Sequence, residues 1–200
     1  MYLITPTLLN SWQYLYKAFE GYEEDAYNDF LRTLNREPSE PNEAMRAGIN
    51  FENQINELVR GNYTPNLPAP YYELADIVMH GQEQVALSIE KRISGIDFLL
   101  YGRLDYLKAG VIYDIKYMFS KKTKYEMGKY VDSAQHPLYF EICPEAYEFE
   151  YLTSDGKELY RERYLRQDAE PIDMKVKEFM AFLAEQKLTE IYFEKWKARD

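Results

Sequence analysis

Two aspartates and a lysine lie in the most strand-like part of the sequence, GRLDYLKAGVIYDIKY, which spans residues 102–117. Asp105, Asp114 and Lys116 stand among aliphatic and aromatic residues that are typical of a strand. Two unpaired carboxylates at close range repel each other, and a divalent cation relieves that repulsion. Oxygen ligands of this kind suit Mg²⁺ or Mn²⁺, and a neighbouring ammonium can orient or activate a water molecule. These residue types therefore predict a metal site that supports hydrolysis.

The register of a β-hairpin decides whether the three side chains meet. If Ala109 and Gly110 form a two-residue turn, Asp105 lies directly opposite Asp114 and Lys116 shares their face. A four-residue loop gives the same pairing, whereas a three-residue loop turns one aspartate away unless a bulge corrects it. In the alternative interpretation the acids are solvent-facing charges on an edge strand, and Asp105 forms a weak salt bridge with Lys116.

The predicted elements follow the order helix, three antiparallel strands, helix and strand, in an α+β (α/β) fold with extra helices at both ends. The first core helix lies in residues 39–61, with Pro41 in its first turn and Gly61 at its end. Residues 62–72, NYTPNLPAPYY, predict a proline-rich surface loop. The remaining predictions are N-terminal helices in 6–34, strands at 84–93, 95–107 and 111–118, a helix at 133–142, a hairpin at 146–165 and a helix at 172–186.

Composition and charge exclude several classes of protein. The net charge of −10 argues against a broad basic surface that coats nucleic acid, although a local basic groove remains compatible with it. The single cysteine, Cys143, excludes a disulfide framework and a multi-thiolate metal site within the chain. The apolar runs are too short for a membrane span, and the N-terminus lacks the features of a signal peptide. We expect one domain over residues 1–200, with its core at about 40–155, in the bacterial cytoplasm.

The sequence resembles the PD-(D/E)XK nuclease superfamily, in its RecB-like and phage-exonuclease-like branch. The resemblance is carried by the order of the core elements, by Gly102 to Asp105 (GRLD) in the second core strand, and by Asp114-Ile115-Lys116 in the third. It implies a restriction-endonuclease-like core and a DNA nuclease that depends on Mg²⁺ or Mn²⁺. Within that resemblance, Asp105, Asp114 and the Ile115 carbonyl bind the metal, and Lys116 positions the attacking water.

Two further elements fit the same family. Glu52 lies four residues after Gly48, at the edge of the apolar stripe of the first core helix, and the resemblance makes it a metal ligand. Gln135 and Tyr139 match a Q-x-x-x-Y motif and project from one face of the second helix, because they are four residues apart. The family's use of this pair implies that it positions the active-site lysine and the DNA backbone.

The basic cluster KKTKYEMGK follows the third core strand and is the candidate DNA-binding segment. The alternative is a solvated surface, since charge runs commonly serve solubility. Tyr117 replaces the Thr or Ser usual in this branch after the lysine, which leaves the local substrate contacts open. His136 fits a helix-start residue better than an acid–base group. The predicted DNA-binding side chains are Arg103, which would share the face of Asp105 opposite Lys116, and Lys121, Lys122, Lys124, Lys129 and Tyr125.

Three functions remain open from the sequence. The first is an exonuclease of phage or bacterial DNA recombination and repair, with DNA as its substrate and a single-strand-binding protein, a recombinase or a second copy of the chain as partner. The second is an inactive DNA- or protein-binding module on the same fold. The third is an unrelated interaction protein, which predicts Asp105 and Asp114 on different faces of the sheet.

Overall fold

A six-stranded mixed sheet forms the centre of the protein, and helices cover both of its faces. The structure is a computed structural model, and it describes residues 1–18, 20–38, 40–119 and 124–198. The strands are β1 (Tyr2–Ile4), β2 (Gln82–Ile93), β3 (Ile96–Lys108), β4 (Val111–Tyr117), β5 (Glu148–Ser154) and β6 (Leu159–Leu165). The helices are α1 (Pro6–Tyr14), α2 (Glu23–Leu34), α3 (Glu43–Val59), α4 (Ala69–Val78), α5 (Gln135–Ile142), α6 (Ile172–Glu185) and α7 (Thr189–Lys195).

The sheet has the mixed α/β architecture that the sequence predicted. Strands β2, β3 and β4 are consecutive antiparallel neighbours, and β4 then pairs in parallel with β5 across the connection through α5. β5 and β6 form the predicted hairpin, and β1 lies parallel to β3. The predicted order of helix, three antiparallel strands, helix and strand is confirmed by α3, β2–β4, α5 and β5.

Two apolar clusters attach the helices to opposite faces of the sheet. The larger joins α1, α2, α5, α6 and α7 to one face through residues such as Phe30, Leu100 and Phe179. The smaller joins α3 and α4 to the other face through Phe51 and Tyr106. Burial of this apolar area is the main force that fixes both helical layers on the sheet.

The β3–β4 turn has the two-residue length on which the predicted hairpin depended. Lys108 pairs with Val111 across Ala109 and Gly110. Both turn residues have left-handed backbones, with φ of 50° and 78°, as a type I′ turn requires. Gly110 adopts this conformation without a steric penalty, so the turn has the predicted even register. The β3–β4 pairing nevertheless ends at Tyr106, so Asp105 does not pair directly with Asp114 as predicted.

Some local predictions were wrong. The proline-rich loop extends only to Pro68, because α4 begins at Ala69 with Pro70 in its first turn, where a missing N–H costs no helical hydrogen bond. Pro41 precedes α3 rather than lying in its first turn. Asn42 caps the helix instead, and its side chain accepts a hydrogen bond of 2.9 Å from the Met45 N–H. The short elements β1 and α7 were not predicted.

Candidate active site

The candidate site lies at a fork in the sheet. On one side of β3, β1 pairs with Phe98–Leu100 and β4 pairs with Tyr106–Lys108, while β2 occupies the other side. Residues 101–105 therefore have no partner strand on the first side. β4 separates from β3 here and continues alongside β5 as far as Tyr117. The fork leaves room between two strands of the same sheet for side chains that bind a ligand.

Asp105 stands at the apex of the fork. Its carboxylate Oδ2 accepts a hydrogen bond of 2.9 Å from the Ile115 N–H, which satisfies a backbone donor where the β3–β4 pairing has ended. Pairing to β2 is also interrupted at this point, since no partner pairs with Asp105 and Gln84 has a left-handed backbone with φ of 54°. Leu104 packs in the larger cluster and Tyr106 in the smaller, which lie on opposite faces of the sheet. Residues two apart on a regular strand share a face, so the alternation of side chains along β3 is interrupted at Asp105.

Asp114 is the most enclosed acid of the site, with an exposed fraction of 3%. Its Oδ1 accepts a hydrogen bond of 2.5 Å from Gln135 Nε2, and its Oδ2 lies 2.7 Å from the Lys116 ammonium. Burial disfavours the charged form of Lys116, but the carboxylates of Asp114 and Asp105 outweigh burial and raise the pKa of the ammonium. Lys116 is therefore a cation at neutral pH.

Glu52 reaches the same site from α3. Its carboxylate accepts a hydrogen bond of 3.0 Å from Gln84 Nε2 on β2. Burial raises the pKa of Glu52, and the negative charge of Asp114 raises it further. Burial and Asp114 likewise raise the pKa of Asp105 to about 8. The acids on α3, β3 and β4 thus repel one another, and this repulsion together with burial disfavours the charged form of Asp105.

Tyr139 secures the opposite side of the fork from α5. Its hydroxyl donates a hydrogen bond of 2.8 Å to the Arg103 carbonyl, in the stretch of β3 that lacks a partner strand. The ring lies against Gly102, where any β-carbon would overlap it. Gln135 and Tyr139 therefore both hold this side of the fork, one through Asp114 and the other through the β3 backbone.

The carboxylates of Glu52, Asp105 and Asp114 lie in one region but are not arranged as a set of metal ligands. In the part of the chain that the structure describes, no three His, Cys, Asp or Glu side chains already have the geometry that holds a metal ion. The Gln135 and Lys116 contacts occupy both oxygens of Asp114. The Oδ2 atom is buried and lacks a hydrogen bond of good geometry, so it keeps capacity for a stronger partner.

The predicted DNA-binding residues have separate surroundings. Arg103 is exposed and pairs with Ala86 on β2; the expected opposition to Lys116 was wrong, because the β3–β4 pairing ends at Tyr106. Lys124 and Lys129 are exposed, and the Lys129 ammonium lies 5.6 Å from the centre of the Tyr130 ring. Two further predictions, Lys121 and Lys122, fall outside the described residues.

Two aromatic side chains that follow β4, Tyr125 and His136, pack against other aromatic residues of the protein. Tyr125 donates a hydrogen bond to the buried Glu162, and its ring stacks on Tyr160 at 4.3 Å between centroids. The His136 ring stacks on Tyr164 at 4.4 Å, and burial lowers its pKa to about 4. His136 is thus neutral at neutral pH and packs in the core. This agrees with the sequence prediction of a helix-start residue rather than an acid–base group.

Gln84 is the site residue that the sequence interpretation missed. The residue pattern of β2 gives no sign of a functional side chain at this position. The contact of Gln84 with Glu52 joins residues 32 positions apart, which local sequence patterns do not reveal. Tyr117, the residue that departs from the family pattern, packs its ring 4.8 Å from that of Phe51 on α3.

Comparison with solved structures shows which folds the chain resembles. No family model and no curated protein sequence matches the chain. Among solved structures, SSO0001 aligns with a TM-score of 0.52 and 14% identity, over 91% of this chain and 77% of that chain. LHK-Exo, solved in complex with dAMP, aligns with a TM-score of 0.50 and 17% identity, over 96% of this chain and 91% of that chain. The protein therefore has a mixed α/β fold similar to that of an exonuclease.

Among the described residues, none of the helices combines the length and apolar character that crossing a membrane demands.

Proposed function

We propose that the protein is a metal-dependent deoxyribonuclease that hydrolyses phosphodiester bonds as an exonuclease. The observation that carries the proposal is the convergence of Asp105, Asp114 and Lys116 at the fork, with Gln135 holding Asp114. A solvated edge strand would leave these side chains separate and exposed. The likeness in fold to LHK-Exo, which was solved with a deoxynucleotide, supports the choice of DNA.

The donor set fits Mg²⁺ or Mn²⁺. Burial and Asp114 oppose the charge of Asp105 and raise its pKa, and a divalent cation would relieve the same repulsion. Asp105, Asp114, Glu52 and the Ile115 carbonyl would hold the ion, and all four offer oxygen. The ion would act as a Lewis acid that stabilises negative charge on the phosphate.

The chain's own groups orient the reactants. Lys116 is charged, so it would donate a hydrogen bond to the attacking water and stabilise negative charge that develops on the phosphate oxygens. It would not remove a proton, because its pKa is raised. Gln135 fixes the Asp114 carboxylate from α5, and Tyr139 holds the β3 backbone that carries Asp105. These contacts keep the acids and the ammonium at a fixed distance from one substrate phosphate.

The proposal predicts DNA cutting that requires a divalent cation. The purified chain should shorten end-labelled linear DNA in Mg²⁺ or Mn²⁺ and lose that activity in EDTA. Closed circular DNA should resist if the enzyme needs an end, while its cutting would identify an endonuclease. Absence of metal-dependent cutting on linear, circular and single-stranded DNA would refute the nuclease proposal.

A non-catalytic binding module is the second candidate, and the occupied oxygens of Asp114 favour it. In such a protein the Lys116–Asp114 ion pair would be permanent and would replace the metal. Calorimetry with Mn²⁺ separates the two functions. A nuclease should show a saturable site that Asp105→Asn removes, and a binding module should show none.

Gln84→Gly is expected to weaken Mn²⁺ binding about tenfold and to leave the free energy of unfolding nearly unchanged. The substitution removes the hydrogen bond that orients Glu52, and loss of such a supporting contact typically weakens metal affinity by roughly 10–100-fold. Glycine also relieves the left-handed backbone at this position, which offsets the lost contact in stability.

The matched control for this change is Gln82→Gly, two residues earlier on the same strand. Gln82 is exposed and pairs regularly with Leu107, so its replacement should lower stability slightly and leave Mn²⁺ affinity intact. Equal Mn²⁺ affinities for the Gln84→Gly protein and the wild type would show that Gln84 does not position Glu52.

A further inference from the structure

An open cleft of about 510 Å³ adjoins the catalytic side chains on the α3 side of the sheet. Glu52 and Lys116 supply charged groups to its lining, while Met45, Ile49 and Tyr117 supply apolar and aromatic surface. Lys116 is the single basic residue among the described residues that line it. Within the described part of the cleft, Lys116 is thus the one cationic contact for a phosphate, and the Met45, Ile49 and Tyr117 surface suits a flat apolar group.

The apolar part of the lining is a continuation of the helix face that carries Glu52. Met45 and Ile49 are four residues apart on α3, and Glu52 follows three residues after Ile49. At 1.5 Å per residue, Ile49 is about 4.5 Å and Met45 about 10.5 Å from Glu52 along the helix axis. Met45 is 54% exposed and Ile49 is 49% exposed, so both side chains are open to a ligand.

We propose that Met45, Ile49 and Tyr117, here called the apolar wall, bind the unpaired base next to the scissile phosphate, so that the substrate is single-stranded DNA. This inference rests on the proposed nuclease function. A phosphate bound by the Lys116 ammonium would lie beside Glu52, in the same cleft as the stretch of α3 that carries the wall. The wall is continuous with the catalytic groups in one cleft.

The chemistry of the wall favours a single strand over a duplex. In a duplex the base faces are stacked on each other, and binding depends on many contacts between basic side chains and phosphates. A single strand offers free base faces, which apolar and aromatic side chains bind without reading the sequence. The wall side chains Met45 and Ile49 have no hydrogen-bonding groups for base edges, so the binding should be independent of sequence.

The test compares a normal single strand with an abasic strand of the same length. Wild-type protein should bind the normal strand at least about fivefold more tightly, because stacking on one base is worth roughly that ratio or more. Met45→Gln/Ile49→Gln should reduce the ratio towards one, measured by fluorescence anisotropy in EDTA and by kcat/KM in Mg²⁺. Glutamine retains high helix propensity, so α3 should persist.

Met174→Gln is the matched control, because Met174 is a 46% exposed methionine on α6 that does not line the cleft. It should keep the wild-type ratio. Ile49→Phe adds a ring to the wall and should increase the ratio of normal to abasic strand binding. An increase in this ratio cannot result from a loss of protein stability.

The outcomes separate the inference from the function on which it rests. Metal-dependent cutting with equal preference for normal and abasic strands would overturn the apolar wall alone. Tighter binding of duplex than of single-stranded DNA, or equal binding of RNA, would overturn the proposed substrate. Base-dependent binding without any cutting would support the wall and refute the nuclease. No binding and no cutting of either strand would overturn both.

Discussion

Lys116→Met is expected to reduce the rate of DNA cutting by at least about a hundredfold while Mn²⁺ binding stays at least as tight as in the wild type. The loss in rate follows because the ammonium is the charged donor closest to the acids, and removal of one such donor typically costs 10²–10³ in rate. The gain or retention in affinity follows because the ammonium lies 2.7 Å from Asp114 Oδ2 and competes with a cation for that oxygen.

Three proteins measured side by side make this prediction specific. Asp114→Asn should lose both cutting and Mn²⁺ binding, because it removes the anionic ligand. Lys177→Met should retain both, since Lys177 is an exposed lysine on α6 that does not line the cleft. Cutting by Lys116→Met at more than about a tenth of the wild-type rate would show that the ammonium does not stabilise the reaction, and weaker Mn²⁺ binding would show that it does not compete with the ion.

The hairpin was predictable because its physics is local. Alternation of side chains and a two-residue turn are enough to place Asp105 and Asp114 at the same end, and the pairing of Lys108 with Val111 has that register. The first core helix was predictable for a similar reason, since α3 carries apolar residues at helical spacing. Each of these inferences needs only residues that are neighbours along the chain.

The fork and the Glu52 contact were not predictable in the same way. Gln84 meets Glu52 because α3 packs on the face of the sheet, and nothing in the pattern of β2 marks the left-handed residue. Simple alternation placed Arg103 on the face of Asp105, but the ladder ends at Tyr106. Where β4 departs from β3, tertiary contacts to α5 replace the regular pairing, and periodicity no longer describes the strand.

The fork also explains why the site combines buried acids with a stable sheet. Separated strands leave backbone groups without ladder partners, and such groups are costly when they are buried. Asp105 accepts from the Ile115 N–H, and Tyr139 donates to the Arg103 carbonyl. The side chains that gather at the candidate site therefore also stabilise the separation of the two strands.

Gly102→Ala is expected to lower the free energy of unfolding by about 2–3 kcal/mol and to reduce cutting strongly. A β-carbon at this position would overlap the Tyr139 ring and would lie 2.9 Å from Cδ1 of Ile142. Both neighbours belong to α5, so the added methyl group must displace that helix from β3. Gln135 is one turn from Tyr139 on the same helix, and its hydrogen bond to Asp114 should be lost with the displacement.

Chemical denaturation of three further variants tests this cause. Gly48→Ala should be neutral or stabilising, because its β-carbon would meet Tyr117 at an ordinary 4.0 Å and alanine favours the helix. In Gly102→Ala/Tyr139→Ala the ring that causes the overlap is gone, so the loss of stability should be smaller than the sum of the losses in Gly102→Ala and Tyr139→Ala. Additive losses would mean that Gly102 and Tyr139 do not constrain each other, and that α5 is held against the fork by other contacts.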